Sequence, residues 1–195
     1  MAGVAGRFEA VLGVGADGSL VALYDVVDLL PVHAKRAYRT RCLEQITRQY
    51  VHHSGALRGG DPFEHMRSSA AYVVKKRDWP GFAYTTWIPF HETFDNDGCR
   101  VVYRGNLDET ITFHAGATPN RKGIAHCLQG NLSKREMSTH QQVTLPAVLT
   151  YFARKFGIAP IPIGHFQADD GHAKASCPGM TGKAWIRGFQ AGRKA

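Results

Sequence analysis

Strand-forming and helix-forming runs alternate along most of this chain, and the helix boundaries are marked by residues that leave little choice. Asp61, Pro62 and Glu64 open "DPFEHMRSSAAYVVKKRDW" as an N-cap, a first helical position and an acidic third position, so a helix is predicted from about 62 to 76. In "STHQQVTLPAVLTYFARKFGI" the apolar residues Val143, Leu145, Val148, Leu149, Phe152 and Phe156 recur at helical spacing, and Gly157 can close the helix. Pro146 inside it lacks a donor and clashes with the preceding turn, which predicts a kink or a late start. Between and around these helices, "ITRQYVHHSG", "GFAYTTWIPF", "CRVVYRG", "ETITFHAG", "KGIAHCLQGN" and "IPIGH" read as strands, and "GKAWIRGFQ" reads as a short terminal helix. Such mixing predicts an α/β fold with a central, mostly parallel or mixed sheet flanked by helices.

The 195 residues suffice for one well-buried domain. Its N-terminal stretch "FEAVLGVGADGSLVALYDVV" contains a formal G-x-G-x-x-G at Gly13, Gly15 and Gly18. A dinucleotide site needs that motif between a strand and a helix, whereas here the residues after Gly18 are rich in Val, Leu and Tyr, so "GADG" is read as a hairpin turn rather than a cofactor loop. Residues 1–40 are therefore expected to form an extension, a β-hairpin followed by a basic linker, ahead of a main domain over 41–195.

A net charge of +8 implies attraction to a polyanion, whether nucleic acid, anionic lipid or bacterial wall polymer. Aromatic residues do not interleave with the Lys and Arg positions and no nucleic-acid motif is present, so nucleic acid is not the expected partner. Every apolar run is broken well short of the ~18 residues a membrane span needs, so no membrane insertion is expected. Glu9 and Asp17 stand where a secretory signal would need a basic start and an unbroken apolar core, so synthesis in the cytoplasm without a signal peptide is expected.

The densest chemistry lies in "GHFQADDGHAKASCPG", residues 164–179. His165 and Cys177 can donate two ligands to a metal across a loop long enough to fold back, and a catalytic zinc takes three such ligands. The third is sought at the end of "YVHHSG", where adjacent His52 and His53 point to opposite sides of a strand. Against this stands the plain reading: ten histidines bring some together by chance, and a buried Cys is usually a small hydrophobe. Cys42, Cys99 and Cys127 read as ordinary thiols, with no C-x-x-C pair in the chain.

Seven segments in order, "YVHHSG", "GFAYTTWI", "FHAGATPN", "GIAHCLQGN", the helix opened by "STHQQ", "GIAPIPIGH" and "ASCPG", resemble the zinc-dependent N-acetylmuramoyl-L-alanine amidases of the type 2 family. That family includes amidase-type phage lysozymes and peptidoglycan recognition proteins, and the resemblance covers most of residues 45–190. It implies Zn2+ held by His52, His165 and Cys177, with Tyr84 as the donor to the developing oxyanion. His114 and Asn120 would line the substrate groove, with His53 the outward neighbour of the ligand, in a packing or supporting role. The substrate would be bacterial peptidoglycan, cut at the amide between N-acetylmuramic acid and L-alanine. A phage or prophage lytic enzyme is the expected setting, delivered to the wall by a holin, a virion or a secretion device.

Three positions depart from the family pattern. Ala175 stands where a Lys or Thr often precedes the last ligand, so Lys174, or even His172, is expected to take over that catalytic place. Cys127 stands where many members carry a glutamate base, and Thr85 where a histidine usually follows the tyrosine. Asp169 and Asp170 read as solvated loop acids more readily than as partners of a ligand histidine. Two rivals remain at this point: a peptidoglycan-binding module that uses the groove without cutting, and a structural zinc, which would need a fourth protein ligand such as His53 or His172.

Overall fold

The computed structural model describes residues 4–56, 60–168 and 172–192. Seven strands form one mixed sheet in the order β1-β2-β5-β4-β6-β3-β7. Strands β1 (Arg7–Val14) and β2 (Leu20–Asp25) make the expected hairpin. The turn is tied by the Asp17 carboxylate, which accepts from the Ser19 amide at 3.0 Å, with Gly18 at a φ of 87°. The hairpin belongs to the sheet, because β2 pairs in parallel with β5 (Arg100–Arg104), and Arg100 reaches back to Asp17 and to the Ser19 hydroxyl. Both hairpin strands are thus part of the same seven-stranded sheet as the others.

Strand β3 (Arg48–His53) lies between β6 (Gly123–Leu128) and β7 (Pro162–Gly164), parallel to both. Strand β4 (Thr86–Ile88) joins β6 in parallel and β5 in antiparallel fashion. Alternation along these strands sorts the core into two faces. Val51, Ile88, Val102, Ile124 and Leu128 bury against helix α3 (Thr139–Phe156) and Ile186 of helix α4 (Gly179–Gly192). On the other face Trp87, Val101, Tyr103 and Cys127 meet Met66 and Ala70 of helix α1 (Pro62–Arg77).

Helix α1 starts as the sequence predicts: the Asp61 carboxylate accepts from the Glu64 amide at 2.8 Å, and Pro62 occupies the first turn. The late start at Pro146 and one of the expected strands are not found. Helix α3 runs unbroken through Pro146 from Thr139, so it does not start late. A full capping box between Ser138 and Gln141 fixes its first turn, and Gln142, whose carbonyl loses its donor to the proline, is exposed. The segment "ETITFHAG" is a loop rather than a strand, tied to residues 39–41 by one isolated bridge, Thr40 to Thr110, and by the Ile111 amide bonded to the Arg39 carbonyl. It leads into the short helix α2 (Ala117–Lys122).

Candidate metal centre

The C-terminal ends of β3 and β7 converge beside the loop after β7. His52 occupies the next-to-last position of β3 and faces the α1 side of the sheet, nearly inaccessible at 1% exposure. His165 follows β7 directly, opening a single 3-10 turn. The chain then folds back: the Lys174 amide bonds to the His165 carbonyl at 3.1 Å and the Cys177 amide to the Lys174 carbonyl at 2.9 Å, returning Cys177 to the strand ends. One ligand atom from each of His52, His165 and Cys177 lies within 4.8 Å of the other two. The two histidine rings have centroids 4.7 Å apart.

This donor set fits zinc. His52 Nδ1 stands 3.7 Å from Cys177 Sγ, close to the separation of about 3.5 Å that N and S ligands keep across a tetrahedral zinc. His165 Nε2 donates to the His172 carbonyl at 3.1 Å, and since a carbonyl only accepts, His165 Nδ1 presents its lone pair. Burial, reinforced by the surrounding histidines, holds His52 well below the usual imidazole range, so the ring is neutral as a ligand must be. Burial pushes the Cys177 thiol up to about 11, against smaller opposing pulls from the His53 backbone and Lys174, so a metal has to displace its proton.

Around this cluster the other expected site residues take distinct places. The Tyr84 ring lies 5.2 Å from that of His52, and burial near the Cys127 and Cys177 sulfurs raises its phenol well above the ordinary value, so it stays a donor. His114 Nδ1 is 3.1 Å from His52 Nε2. Asn120 spends its Oδ1 on the amides of His114 and Ala115, at 2.9 and 2.8 Å, and so fixes the loop that carries His114. His53 turns to the opposite face, where its Nδ1 accepts from the Leu132 amide at 3.0 Å, and burial with nearby Lys174 lowers it to about 4. Lys174, His172, His114, Asn120, Trp79 and Phe113 border a pocket of about 400 Å³ at the cluster. Cys127 is fully buried beside His52 in register, against Trp87. Thr85 is buried too, its hydroxyl near the Ala125 amide. Asp169 and Asp170 lie outside the described residues.

Sequence reasoning missed Arg41. Its guanidinium is 7% exposed and donates to the carbonyls of Asn120, Arg121 and Gly123 at the end of α2 and, through Nε and Nη2, to the Asp108 carbonyl. It thereby clamps the helix that supplies Asn120. In the sequence it is one of several basic residues between 35 and 41, with nothing local to single it out.

A mixed-sheet α/β domain with two imidazoles and a thiol converging at the strand ends is the class that fold and site define. No protein-family model matches the sequence, and no curated protein matches it. Solved structures do. The endolysin N-acetylmuramoyl-L-alanine amidase LysCS of Clostridium intestinale aligns over 83% of this chain and 97% of its own, at 19% identity and a TM-score of 0.56. Bumblebee PGRP-SA aligns over 87% and 95%, at 16% identity and a TM-score of 0.67. A point mutant of Drosophila PGRP-LB, solved with tracheal cytotoxin, aligns over 80% and 88%, at 20% identity and a TM-score of 0.59. The chain has the fold shared by these amidases and peptidoglycan recognition proteins.

Proposed function

We propose that this protein is a zinc-dependent N-acetylmuramoyl-L-alanine amidase of bacterial peptidoglycan, working in a phage or prophage lytic setting. The observation that carries the reading is the convergence of His52, His165 and Cys177, with His165 on the wall of a pocket, in a fold that amidases share. Bound there, zinc would polarise the scissile carbonyl and make water a nucleophile near neutral pH. The chain's own residues do the rest. Tyr84, kept protonated, donates to the oxygen on which negative charge develops. Lys174 brings a positive charge to the pocket wall, where it stabilises the same charge. The pocket rim of Trp79 and Phe113, whose rings meet edge to face at 5.8 Å, offers apolar surface to the sugar or the peptide stem. The positive net charge raises the encounter rate with an anionic wall.

A second reading is favoured by one feature: among the described residues bordering the pocket there is no carboxylate, and Cys127 is a buried thiol raised well above its usual range. On that reading the groove binds peptidoglycan without cutting it. Purified peptidoglycan digested with zinc-loaded and with chelated protein separates the two. New L-alanine amino termini from the zinc-loaded form alone support the amidase; co-sedimentation with the wall and no new termini supports the binding module.

A further inference from the structure

The two histidines of the cluster are fixed through their Nε2 atoms by partners of different kinds. For His165 the partner is a backbone carbonyl, which decides the tautomer outright. For His52 it is a second imidazole, Nδ1 of His114 at 3.1 Å, and two imidazoles can share a proton in either sense. Only one sense leaves His52 able to ligate: its Nε2 must carry the hydrogen and His114 Nδ1 must accept it.

We propose that His114 is the positioning residue that holds His52 in its Nε2–H tautomer and aims its Nδ1 at the metal. The proposal rests on the zinc reading above and assigns His114 a task separate from touching substrate. Three features of the chain support it. The rings meet edge-on, at 80° with centroids 5.1 Å apart, an arrangement suited to an N–H in the plane of one ring pointing at a lone pair of the other. His114 Nε2 makes no hydrogen bond among the described residues while Nδ1 faces His52 Nε2, so the ring's one side-chain hydrogen bond falls to Nδ1, where a neutral imidazole protonated at Nε2 accepts. Finally, the His114 backbone is pinned by Asn120, and α2 behind it by Arg41, so the acceptor is held in place before any metal arrives. Carboxylates and carbonyls usually orient a ligand histidine; here an imidazole on a braced loop does so.

The test uses the full metal-free chain and zinc itself, titrated against a chromophoric chelator, for wild type, His114→Leu and His114→Asn. Leu removes the acceptor, whereas Asn places an amide oxygen near the position of Nδ1. The expected result is a loss of about 10- to 100-fold in zinc affinity for His114→Leu and recovery of most of it in His114→Asn. Should His114→Leu not fold, His114→Gln, whose oxygen sits too far out, replaces it in the comparison with Asn. Long-range 1H–15N spectra of the metal-free wild type are expected to show His52 protonated at Nε2. A wild type that binds zinc with the same affinity as His114→Leu, or a His52 protonated at Nδ1, overturns this proposal alone. A wild type that binds no zinc overturns the zinc reading and this proposal with it.

Discussion

His126 and His52 sit on adjacent strands one register step apart, are equally buried, and face opposite sides of the sheet. His126 is satisfied at both nitrogens: Thr86 Oγ1 lies 2.8 Å from Nδ1 and Gln49 Oε1 lies 3.0 Å from Nε2, while Gln49 Nε2 donates to the Leu149 carbonyl at 3.0 Å. This ladder stitches β4, β6 and β3 to α3 and leaves nothing for a ligand to complete. On the other face, His52 Nδ1 confronts a thiol at 3.7 Å, and His114 Nε2 has no hydrogen-bond partner among the described residues. Buried polar groups that close on one another hold a fold; buried imidazoles and a thiol that converge with one of their atoms unpartnered leave room for something from outside. One pair of neighbouring strands supplies both.

Substitutions on the two faces should therefore have opposite signatures. The largest effect belongs to Cys177→Ala, which is expected to abolish zinc binding and amide hydrolysis while lowering folding stability by only about 1 kcal/mol, read from denaturant melts. His126→Leu should do the reverse. It leaves the Gln49 carbonyl oxygen and the Thr86 hydroxyl buried without a partner, so unfolding is eased by about 3 kcal/mol while zinc affinity stays within about threefold of wild type. A mutant that lost both properties together would dissolve the distinction.

Acid sharpens the comparison further. Burial lowers His126 to about 3 and His140 to about 4, so between about pH 6.5 and those values the unfolded chain binds protons that the native chain refuses. Stability is thus present above about pH 6.5 and falls as pH drops, each histidine adding up to about 1.4 kcal/mol per pH unit. His126→Leu is expected to flatten that slope by one proton, as measured by chemical denaturation across pH 4–6. The smallest effect is on the other face: with His52 already neutral and the Cys177 thiol raised, zinc uptake at pH 7.5 should release about one proton, seen as a buffer-dependent binding enthalpy.

What was legible in the sequence was what local chemistry encodes. Asp61 and Pro62 announce α1, "GADG" announces the hairpin, and the density of ligand types around His165 and Cys177 announces the place where the strand ends meet. What was not legible depends on residues far apart. "ETITFHAG" has strand-forming composition, but its loop is tied to residues 39–41 and braced by Asn120, with Arg41 holding α2 behind it. Pro146 is tolerated because the cap eight residues upstream, rather than the helix interior, decides where α3 begins. The contact of His114 with His52 spans 62 positions, and no spacing rule could have reported it.

The most direct test of the metal centre is X-ray absorption at the zinc edge of the loaded protein, beside the Cys177→Ala and Cys127→Ala variants. One sulfur at about 2.3 Å and two imidazole nitrogens at about 2.0 Å are predicted, with the sulfur lost in Cys177→Ala and kept in Cys127→Ala. A zinc shell of nitrogen and oxygen alone in the wild type, or a sulfur that survives Cys177→Ala, would contradict the site.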